Sequence, residues 1–576
     1  MGRVAVFSKD QVIALIEHLR GSLEHKIDQL SSMGGVGPST PIDGQTSALI
    51  DSPKTLTRFS LETVIKSVVG SGLLDSIYRK NTDKGVHLEQ LGAYMDGVRD
   101  DTDAVDRGLM LSASMGVPLI VPQGKRILLS KQISMPSGAS INGNGSTFYW
   151  TQPTNPGTWL INANSKYACT VSDLTLEVET PVNADQRGVT AVNAVGFQLS
   201  NVKIRATNPG AGAGSNNKMG LLIQKSTAVN IDDVSIENFD IGLRYSQIKN
   251  FIATNIQVDN YRLGLWVSDC INGQFYSGRI KGKGPNTTQD PGHNGILVDT
   301  DSKYGTNHIT FADYVVEDSG ATGYRLGGQN PIGNVFFIRC KAYRAGSNGF
   351  KTLGGTVESR SRHRYVHFID CFAEDSGLGG GTNTYGIAVH LTDDVNITNF
   401  ICNNESASNS AYYGIDVCGS NRVTVTNPSI YRPLVAGIAV RTALGDVADC
   451  TIDGGRFITT GGADTFLFDF PSNTLRRINI RNFPTIEQYT PGYVIRVNSN
   501  STSSVIGGIN VEYHTANNTS VTNHITGSDP SLVHAEIKGQ APSDLSYADF
   551  SDTSRWYGRG GSRAFGIMKG RSWTWL

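Results

Sequence analysis

Two acidic side chains, Glu237 and Asp259, stand at the same position of two neighbouring copies of a short repeat. "IENFDIGL" at 236–243 is followed 22 residues later by "VDNYRLGL" at 258–265, and seven of the eight positions keep their chemical type. Two carboxyl groups held at a fixed separation can divide into an acid and a base, which is the chemistry that glycoside hydrolysis requires. The repeat therefore makes paired carboxylates the first candidate for a reactive site.

The two copies differ in chemical type at one position, which is Asp240 in the first copy and Arg262 in the second. Close like charges should raise the pKa of one carboxyl group. Arg244 and Arg262 are near enough in register to keep another carboxyl group ionised. We therefore expect Glu237, Asp240 and Asp259 to be the catalytic group, although acids at such turns are often only solvated or capping. Equivalent turns further along hold a reserve cluster, which consists of Glu317, Asp318, Glu374 and Asp375.

A glycine anchors each copy of a longer repeat, in motifs such as "IGLRY", "LGLWV" and "YGIAV". The intervals between these glycines have a minimum of 22 residues and are sometimes longer, which is typical of a solenoid with loops inserted at one turn. One coil cannot bury its Ile, Val and Leu side chains alone, so the coils must stack. The anchors are Gly196, Gly220, Gly242, Gly264, Gly295, Gly323, Gly349, Gly386, Gly414 and Gly437.

Stacking turns a repeated residue type into a column. Strands of neighbouring coils lie about 4.8 Å apart, which is close to the spacing of about 5–5.5 Å that carboxyl groups have in retaining glycosidases. Next-nearest coils approach the spacing of about 6.5–9.5 Å found in inverting ones. Asn238 and Asn260 fall at equivalent turns and are expected to bond along the stack.

Aromatic and basic residues in the same coils are the expected substrate contacts, because sugar rings stack their apolar faces on aromatic side chains. Some of them are equally well explained as core or surface residues. The expected substrate-binding residues are Arg244, Tyr245, Tyr261, Arg262, Trp266, Tyr276, Tyr304 and Tyr324.

Composition limits the partners and cofactors. The formal net charge of −1 gives no global basic field, so nucleic acid is not expected as a partner. Neither a signal-peptide core nor a run of about 18 apolar residues is found, which predicts synthesis in a cytoplasm and no membrane insertion. The seven cysteines form no CxxC pair, and we expect buried free thiols, no metal site and no cofactor.

The chain divides into four predicted regions. An S-x-x-Q capping box at Ser8 and apolar residues spaced by three and four predict an N-terminal helix in 1–32 that anchors or oligomerises the protein, unless it packs on its own domain. Residues 33–84 form a linker and neck, and 85–460 form the solenoid with its catalytic site. Residues 461–576 form a β-rich cap, with possible roles in trimerisation and carbohydrate binding.

The segment 96–145 carries a family resemblance. Its "DGVRDDTDA", followed by a short helix, "VPQG", "MPSG" and "INGNG", resembles the entry to the pectate-lyase-like right-handed parallel β-helix, which is common in phage tailspikes that degrade bacterial capsules. Asp101 or Thr102 is expected to cap the helix at 102–114. The resemblance implies an all-β homotrimer on the phage virion that is made in the host cytoplasm and acts outside the host cell.

The same resemblance implies that the protein binds and depolymerises a capsular polysaccharide of the Klebsiella type, with its N-terminus attached to the phage tail or to another spike. Hydrolysis is the preferred reaction, and β-elimination on a uronate stays open. The candidate residues for β-elimination are His293, His308 and the basic stretch that ends at Arg364. A non-catalytic adhesin of the same shape stays open too. A secreted plant-wall pectinase is disfavoured because the export signal is missing.

Overall fold

The computed structural model of this chain divides into two compact units, 1–83 and 84–576. The predicted N-terminal helix, linker and neck lie outside the described residues. Within the described part, no helix combines the length and apolar character needed to cross a bilayer. The structure describes residues 85–151, 158–179, 187–207, 218–284, 293–300, 305–355, 362–380, 383–405, 411–460, 462–471, 473–482, 484–488, 493–499, 504–515, 525–527, 533–539, 555–558, 565–569 and 572–575.

A short helical entry precedes the coils. It consists of a 3-10 turn at Leu88–Leu91 and an α-helix, α1, at Thr102–Met115, which confirms the predicted helix. Asp101 occupies the N-cap position without capping, because its carboxylate accepts the backbone N–H groups of Tyr94 at 2.6 Å and Met95 at 2.8 Å. The backbone N–H of Thr102 is instead bonded to Asp100.

The rest of the described chain is a right-handed parallel β-helix, as the sequence predicted. One wall, sheet 1, has 15 parallel strands, one from each coil. They are Ile133–Ser134, Ile161–Asn162, Arg187–Val192, Met219–Gln224, Ile241–Ser246, Leu263–Ser268, Ile296–Asp299, Tyr324–Leu326, Phe350–Leu353, Tyr385–His390, Tyr413–Cys418, Ala436–Arg441, Asp464–Phe470, Ile495–Ser499 and Ile525–Gly527.

The other strands form sheet 2, which has 28 strands and makes the two remaining walls. Its strands are Val86–His87, Asp96–Asp100, Leu119–Ile120, Arg126–Leu129, Ser140–Thr151, Thr170–Glu179, Gln198–Ala206, Thr227–Glu237, Lys249–Asp259, Ile271–Lys281, Thr306–Glu317, Ile332–Ile338, Lys341–Tyr343, His363–Ile369, Phe372–Glu374, Thr392–Thr398, Ile401–Asn403, Val423–Thr426, Ser429–Tyr431, Val447–Asp453, Arg456–Thr459, Thr474–Arg481, Thr485–Gln488, Ser504–Thr515, Val533–Gly539, Arg555–Gly558, Phe565–Lys569 and Ser572–Trp575.

Sheet 2 bends once in each coil at a residue with left-handed backbone geometry. Asp233, Asn255 and Ser277 have φ values of 51°, 56° and 50° and separate the first half of each long strand from the second half. A second left-handed corner follows the end of these strands, at Asn238 and Asn260, whose φ values are 68° and 59°. The Asn260 amide donates to the Asn238 side chain, so the predicted asparagine ladder is confirmed.

Inward side chains fill the space between the walls. Phe275, Phe311, Phe337 and Phe368 come from four successive coils, and their neighbouring ring centroids are 4.7, 5.4 and 5.2 Å apart. Each such burial contributes about 1.5–3 kcal/mol. All seven cysteines are buried free thiols, which confirms the prediction.

The glycine column has a steric cause. A Cβ on Gly242 would lie 2.6 Å from the carbonyl oxygen of Gly264 and 2.3 Å from Val258 Cγ1. The same clash with the glycine carbonyl of the next coil recurs at Gly264, Gly295 and Gly323. The first predicted anchor, Gly196, was wrong, because Gly188 holds this position and contacts the carbonyl of Gly220.

The boundary predicted at residue 460 is also corrected. Asp464–Phe470 pairs in parallel with Ala436–Arg441, and Val533–Gly539 pairs in parallel with the strand at 504–515. Among the strands that the structure describes, only the last three, from Arg555 to Trp575, pair as antiparallel neighbours. The weaker sequence period after residue 460 therefore reflects less regular coils of the same solenoid.

We predict that Gly242→Ala lowers the free energy of unfolding by about 1–3 kcal/mol, because the added methyl group must displace backbone or core atoms. Urea and thermal melts of the two proteins measure the loss. Gly333→Ala is the matched control, since the nearest atom to its Cβ lies 3.6 Å away. Equal melting of both variants and the parent protein would contradict the steric account.

Candidate active site

One outward residue at or near the end of each strand in the second half of sheet 2 is in register with its counterparts in the neighbouring coils, and these residues form what we call the edge column. Ile236, the residue before Glu237 in the chain, points into the core, whereas the Glu237 side chain is 36% exposed. Four of the predicted acids, Glu237, Asp259, Glu317 and Glu374, therefore lie in one row along the outside of the coils. The edge column runs Tyr149, Glu177, Arg205, Glu237, Asp259, Lys281, Glu317, Tyr343, Glu374, Asn403 and Tyr431.

Glu237 and Asp259 are direct register neighbours in this column. Their backbones are therefore about 4.8 Å apart. The two carboxyl groups have different surroundings, because Lys203 Nζ lies 2.8 Å from Glu237, whereas Arg279 Nη1 lies 3.9 Å from Asp259. Burial raises the pKa of Asp259, and the Glu237 charge adds to this rise while Arg279 opposes it. The pair thus combines an ion-paired carboxylate with a neighbour whose charged form is disfavoured.

Asp240 lies in the turn that leads to sheet 1, outside the edge column. Arg262 Nε donates to its Oδ1 at 2.9 Å and Nη2 donates to its Oδ2 at 3.1 Å. The Asp240 side chain is 7% exposed. Both carboxylate oxygens are therefore used inside the protein, and the mismatch in the repeat builds a buried ion pair between two coils.

The reserve cluster divides into two kinds of residue. Glu317 and Glu374 belong to the edge column, two register steps apart with Tyr343 between them. Asp318 comes one residue later, at a corner with φ of 52°, where Arg344 Nε donates to it at 2.7 Å. Asp375 lies at the equivalent corner two coils further on, and its Oδ1 accepts the backbone N–H of Glu405 at 2.8 Å. Asp318 and Asp375 thus stabilise turns.

The electrostatics around Glu317 and Glu374 also differ. Arg279 Nη2 lies 3.0 Å from Glu317, and Arg344 Nη2 lies 3.8 Å from it. Burial raises the pKa of Glu374, with Asp375 and Glu405 adding to the rise and Arg344 opposing it. This part of the edge column therefore repeats, at a wider spacing, the contrast between a cation-paired carboxylate and one whose charged form is disfavoured.

The expected aromatic contacts require correction. Tyr245 and Tyr324 are fully buried, and they stack on Phe251 and Phe350 at 4.9 and 4.6 Å in the core. Tyr261 is 3% exposed. These three rings cannot contact a polymer on the surface, because all three are packed inside the coils.

The remaining expected contacts lie on separate surfaces. Arg244 and Trp266 are outward register neighbours on sheet 1, with the guanidinium carbon 3.8 Å from the indole centroid. Tyr276 is exposed on the first half of sheet 2, and its hydroxyl donates to Gln274 at 3.1 Å. Tyr304 lies outside the described residues. Of the predicted site residues, the structure therefore brings only Glu237, Asp259, Glu317 and Glu374 together in the edge column.

The basic stretch considered for β-elimination takes part in the coil packing. Arg362 Nη1 donates to Asp393 at 2.9 Å and to the carbonyl of Gly419 at 2.7 Å. His363 is fully buried, and its Nδ1 accepts the backbone N–H of Ile332 at 3.1 Å. These contacts bind the stretch to neighbouring coils.

Five residues beside Glu237 and Asp259 were not predicted from the sequence, namely Lys203, Arg205, Arg279, Lys281 and Tyr343. Counting five residues back from an anchor glycine selects Glu237 and Asp259, which both lie in the edge column. The same count selects Asp318, one residue past the edge column, because the turn after Glu317 is one residue longer. Alignment on the inward strand residues instead of the glycine would have identified Lys281 and Tyr343.

Comparisons with known proteins agree with this fold. Residues 86–281, which are 196 of the 576 residues, match a sequence model of the family described as rhamnogalacturonase A/epimerase, pectate lyase-like. This segment is similar to the pectate-lyase-like proteins. No curated protein matches the sequence. The right-handed parallel β-helix that the resemblance of residues 96–145 predicted is therefore confirmed.

Solved structures with a similar fold have low identity to this chain. A double mutant of the tailspike protein of E. coli bacteriophage HK620 is 11% identical, with 81% of this chain and 78% of that chain covered and a TM-score of 0.47. The catalytic unit of a GH87 α-1,3-glucanase from Streptomyces thermodiastaticus strain HF3-3 is 11% identical, with 73% of this chain and 67% of that chain covered and a TM-score of 0.44. PfbA, a surface adhesin of Streptococcus pneumoniae, is 10% identical, with 71% of this chain and 93% of that chain covered and a TM-score of 0.37.

We predict that Arg262→Met lowers the free energy of unfolding by about 3 kcal/mol, because it leaves the buried Asp240 carboxylate without its cation. Arg339→Met is the control, since its partner Asp313 is exposed and surface pairs contribute little. Urea denaturation compares the two variants. A loss at Arg262 no larger than the loss at Arg339 would contradict a buried pair.

Proposed function

We propose that the protein is a phage tailspike that binds and depolymerises a bacterial capsular polysaccharide by glycoside hydrolysis. The proposal depends on one observation, which is that Glu237 and Asp259 are adjacent in the edge column and differ in their electrostatic surroundings. Their side chains are 36% and 34% exposed, so a polymer lying along the coils can reach both.

The unlike surroundings assign the two roles. Asp259, whose raised pKa favours the protonated form, donates its proton to the glycosidic oxygen as the bond to the leaving sugar breaks. Glu237, paired with Lys203, attacks the anomeric carbon and forms a glycosyl ester. Asp259 then removes a proton from water, which attacks the same carbon and releases Glu237.

A long polymer fits this arrangement, because the edge column continues on both sides of the pair. Arg205, which donates to Glu177, precedes Glu237, and Lys281 and Tyr343 follow Asp259, so a cation and an aromatic ring lie beside the pair for neighbouring sugars. In this proposal the capsule is of the Klebsiella type, the spike is a homotrimer, and the N-terminal segment attaches it to the phage tail or to another spike.

We predict that Glu237→Gln and Asp259→Asn each lower the rate of capsule depolymerisation by about a hundredfold or more, as removal of a catalytic acid or base does. Release of reducing ends from a panel of purified capsules measures the rate. Asp313→Asn is the control, since it removes an exposed acid from another corner. The thermal melt and oligomeric state should be unchanged in all three.

Full activity of both edge variants would contradict this assignment and transfer the site to Glu317 and Glu374. A parent protein that binds a capsule without releasing oligosaccharides would be an adhesin. Products with the near-ultraviolet absorbance of a conjugated double bond would identify a lyase. Each outcome excludes hydrolysis by Glu237 and Asp259.

The spacing also predicts the stereochemistry. Adjacent coils place the two carboxyl groups near the spacing of about 5–5.5 Å that retention requires. We therefore expect the first product to have the anomeric configuration of the substrate, as measured by NMR during the early part of the reaction. Inversion would instead favour Glu317 and Glu374, whose two register steps span about 9.6 Å.

A further inference from the structure

Arg279 lies beside the edge column and contacts two of its acids, which belong to different coils. Its Nη2 lies 3.0 Å from Glu317, its Nε donates to the same carboxylate at 3.3 Å, and its Nη1 lies 3.9 Å from Asp259. Lys281, two residues after Arg279, is the register neighbour of both acids. One guanidinium therefore reaches across two register steps of the column.

The two contacts of Arg279 are unequal. Two nitrogen atoms of the guanidinium donate to Glu317, whereas the contact with Asp259 is about 1 Å longer than a charge-assisted hydrogen bond. Hydrogen bonding to Glu317 raises the pKa of Arg279, so the guanidinium keeps its charge. Asp259 thus has a cation within reach that is bonded to a different acid.

Arg279 can move from one acid to the other without leaving Glu317 unscreened. Arg344 Nη2 lies 3.8 Å from Glu317, while Arg344 Nε donates to Asp318 at 2.7 Å. Glu317 therefore keeps a second cation nearby. The Arg279 side chain is 47% exposed, and exposed side chains change rotamer rapidly without displacing core atoms. A small rotation of the guanidinium towards Asp259 is therefore open to it.

The charge on Asp259 changes during the proposed reaction. Burial is the main cause of its raised pKa, with Arg279 and Lys281 opposing the rise and Glu237 and Glu317 adding to it. Once Asp259 has given its proton to the glycosidic oxygen, it becomes a carboxylate near Arg279, and a new attraction arises between opposite charges. The cation then stabilises the carboxylate that the reaction produces.

We propose that Arg279 is a positioning residue for the catalytic acid, which turns from Glu317 to Asp259 as Asp259 loses its proton. The guanidinium stays protonated throughout, and only its ion pairs change. Glu317 is the resting partner, which keeps Arg279 from stabilising the Asp259 carboxylate before the reaction begins. This inference rests on the proposed function and gives a role to a residue that the two-carboxylate mechanism does not use.

The pH dependence of kcat/KM for capsule cleavage tests this role, because cleavage needs protonated Asp259 and falls as the pH rises through its pKa. Arg279→Met removes the cation that opposes the raised pKa, so this basic limb should move to higher pH by about half a pH unit or more. We also expect kcat to fall by about threefold or more, since the new carboxylate lacks its partner.

Glu317→Gln should move the basic limb in the opposite direction. The substitution removes a charge that raises the pKa of Asp259, and it releases Arg279 to bond with Asp259. A residue that only stabilised the fold would not give opposite shifts in the two variants. Shifts in the same direction, or no shift in Arg279→Met, would overturn the role of Arg279.

Two further variants are controls for the loss of a positive charge. Arg339→Met removes an exposed arginine that pairs with Asp313 at another corner, and the limb should not move. Lys281→Met removes a cation of the same coil that lowers the pKa of Asp259 less than Arg279 does, and it should give a smaller shift. Equal shifts from Lys281→Met and Arg279→Met would show that net charge alone sets the limb.

Carbodiimide labelling gives a second readout, which needs no cleavage. Carbodiimides react faster with protonated carboxyl groups, and the Asp259 side chain is 34% exposed to the reagent. Peptide mass spectrometry of the full-length protein follows its modification as a function of pH. Relative to the parent protein, the labelling curve of Asp259 should move to higher pH in Arg279→Met and to lower pH in Glu317→Gln.

Together the two readouts separate this inference from the proposed function. If the labelling curves move as expected but no capsule in the panel is cleaved, Arg279 controls the charge of Asp259 and the depolymerase proposal fails. If a capsule is cleaved by Glu237 and Asp259 with the same pH profile in the parent protein and Arg279→Met, this inference fails and the depolymerase proposal stands.

Discussion

Close contact between the backbones of successive coils is the constraint on which the rest of this β-helix depends. At Gly242 and its equivalents, the Cα atom faces the carbonyl of the next coil too closely for any side chain. A coil can therefore gain residues only in its loops, and strands on both sides of a loop must return to the same register. This fixed register is what converts a repeated residue type into a column of like side chains.

A column of like charges destabilises the fold through repulsion, and the charges are neutralised to different extents at the corners and in the edge column. At the corners an arginine of one coil binds an aspartate of the preceding coil, as Arg344 binds Asp318, so that charge is neutralised from coil to coil. In the edge column the neutralisation is incomplete, and Asp259 shares its surroundings with the acidic Glu237. Incomplete neutralisation of accessible acids distinguishes a potential reaction site from a structural ladder.

The fold was predictable because its signal is repeated many times. Apolar alternation and the anchor glycines recur in coil after coil, so an error at Gly196 did not change the architecture. The end of the coils was misplaced because loop insertions and irregular strands after residue 460 obscure the period without breaking the parallel pairing.

The candidate site was predictable only in part, because each of its residues occurs once. Glu237 and Asp259 were aligned correctly by an unbroken interval of 22 residues. Tyr245 was misassigned because it follows the outward Arg244 by one position, and a shift of one residue in a strand reverses the side to which a side chain points. The two cations near Glu317, Arg344 and Arg279, lie 27 and 38 residues away in the sequence, and local sequence does not contain that information.

The enclosed thiols have a consequence for handling of the protein. All seven sulfur atoms lie within the stack of coils, and several donate to a carbonyl of the preceding coil, as Cys340 does to Phe311. Oxidants and alkylating reagents in the surrounding medium reach them only when coils separate. The rate of thiol modification therefore reports the opening of the solenoid, coil by coil, without any introduced label.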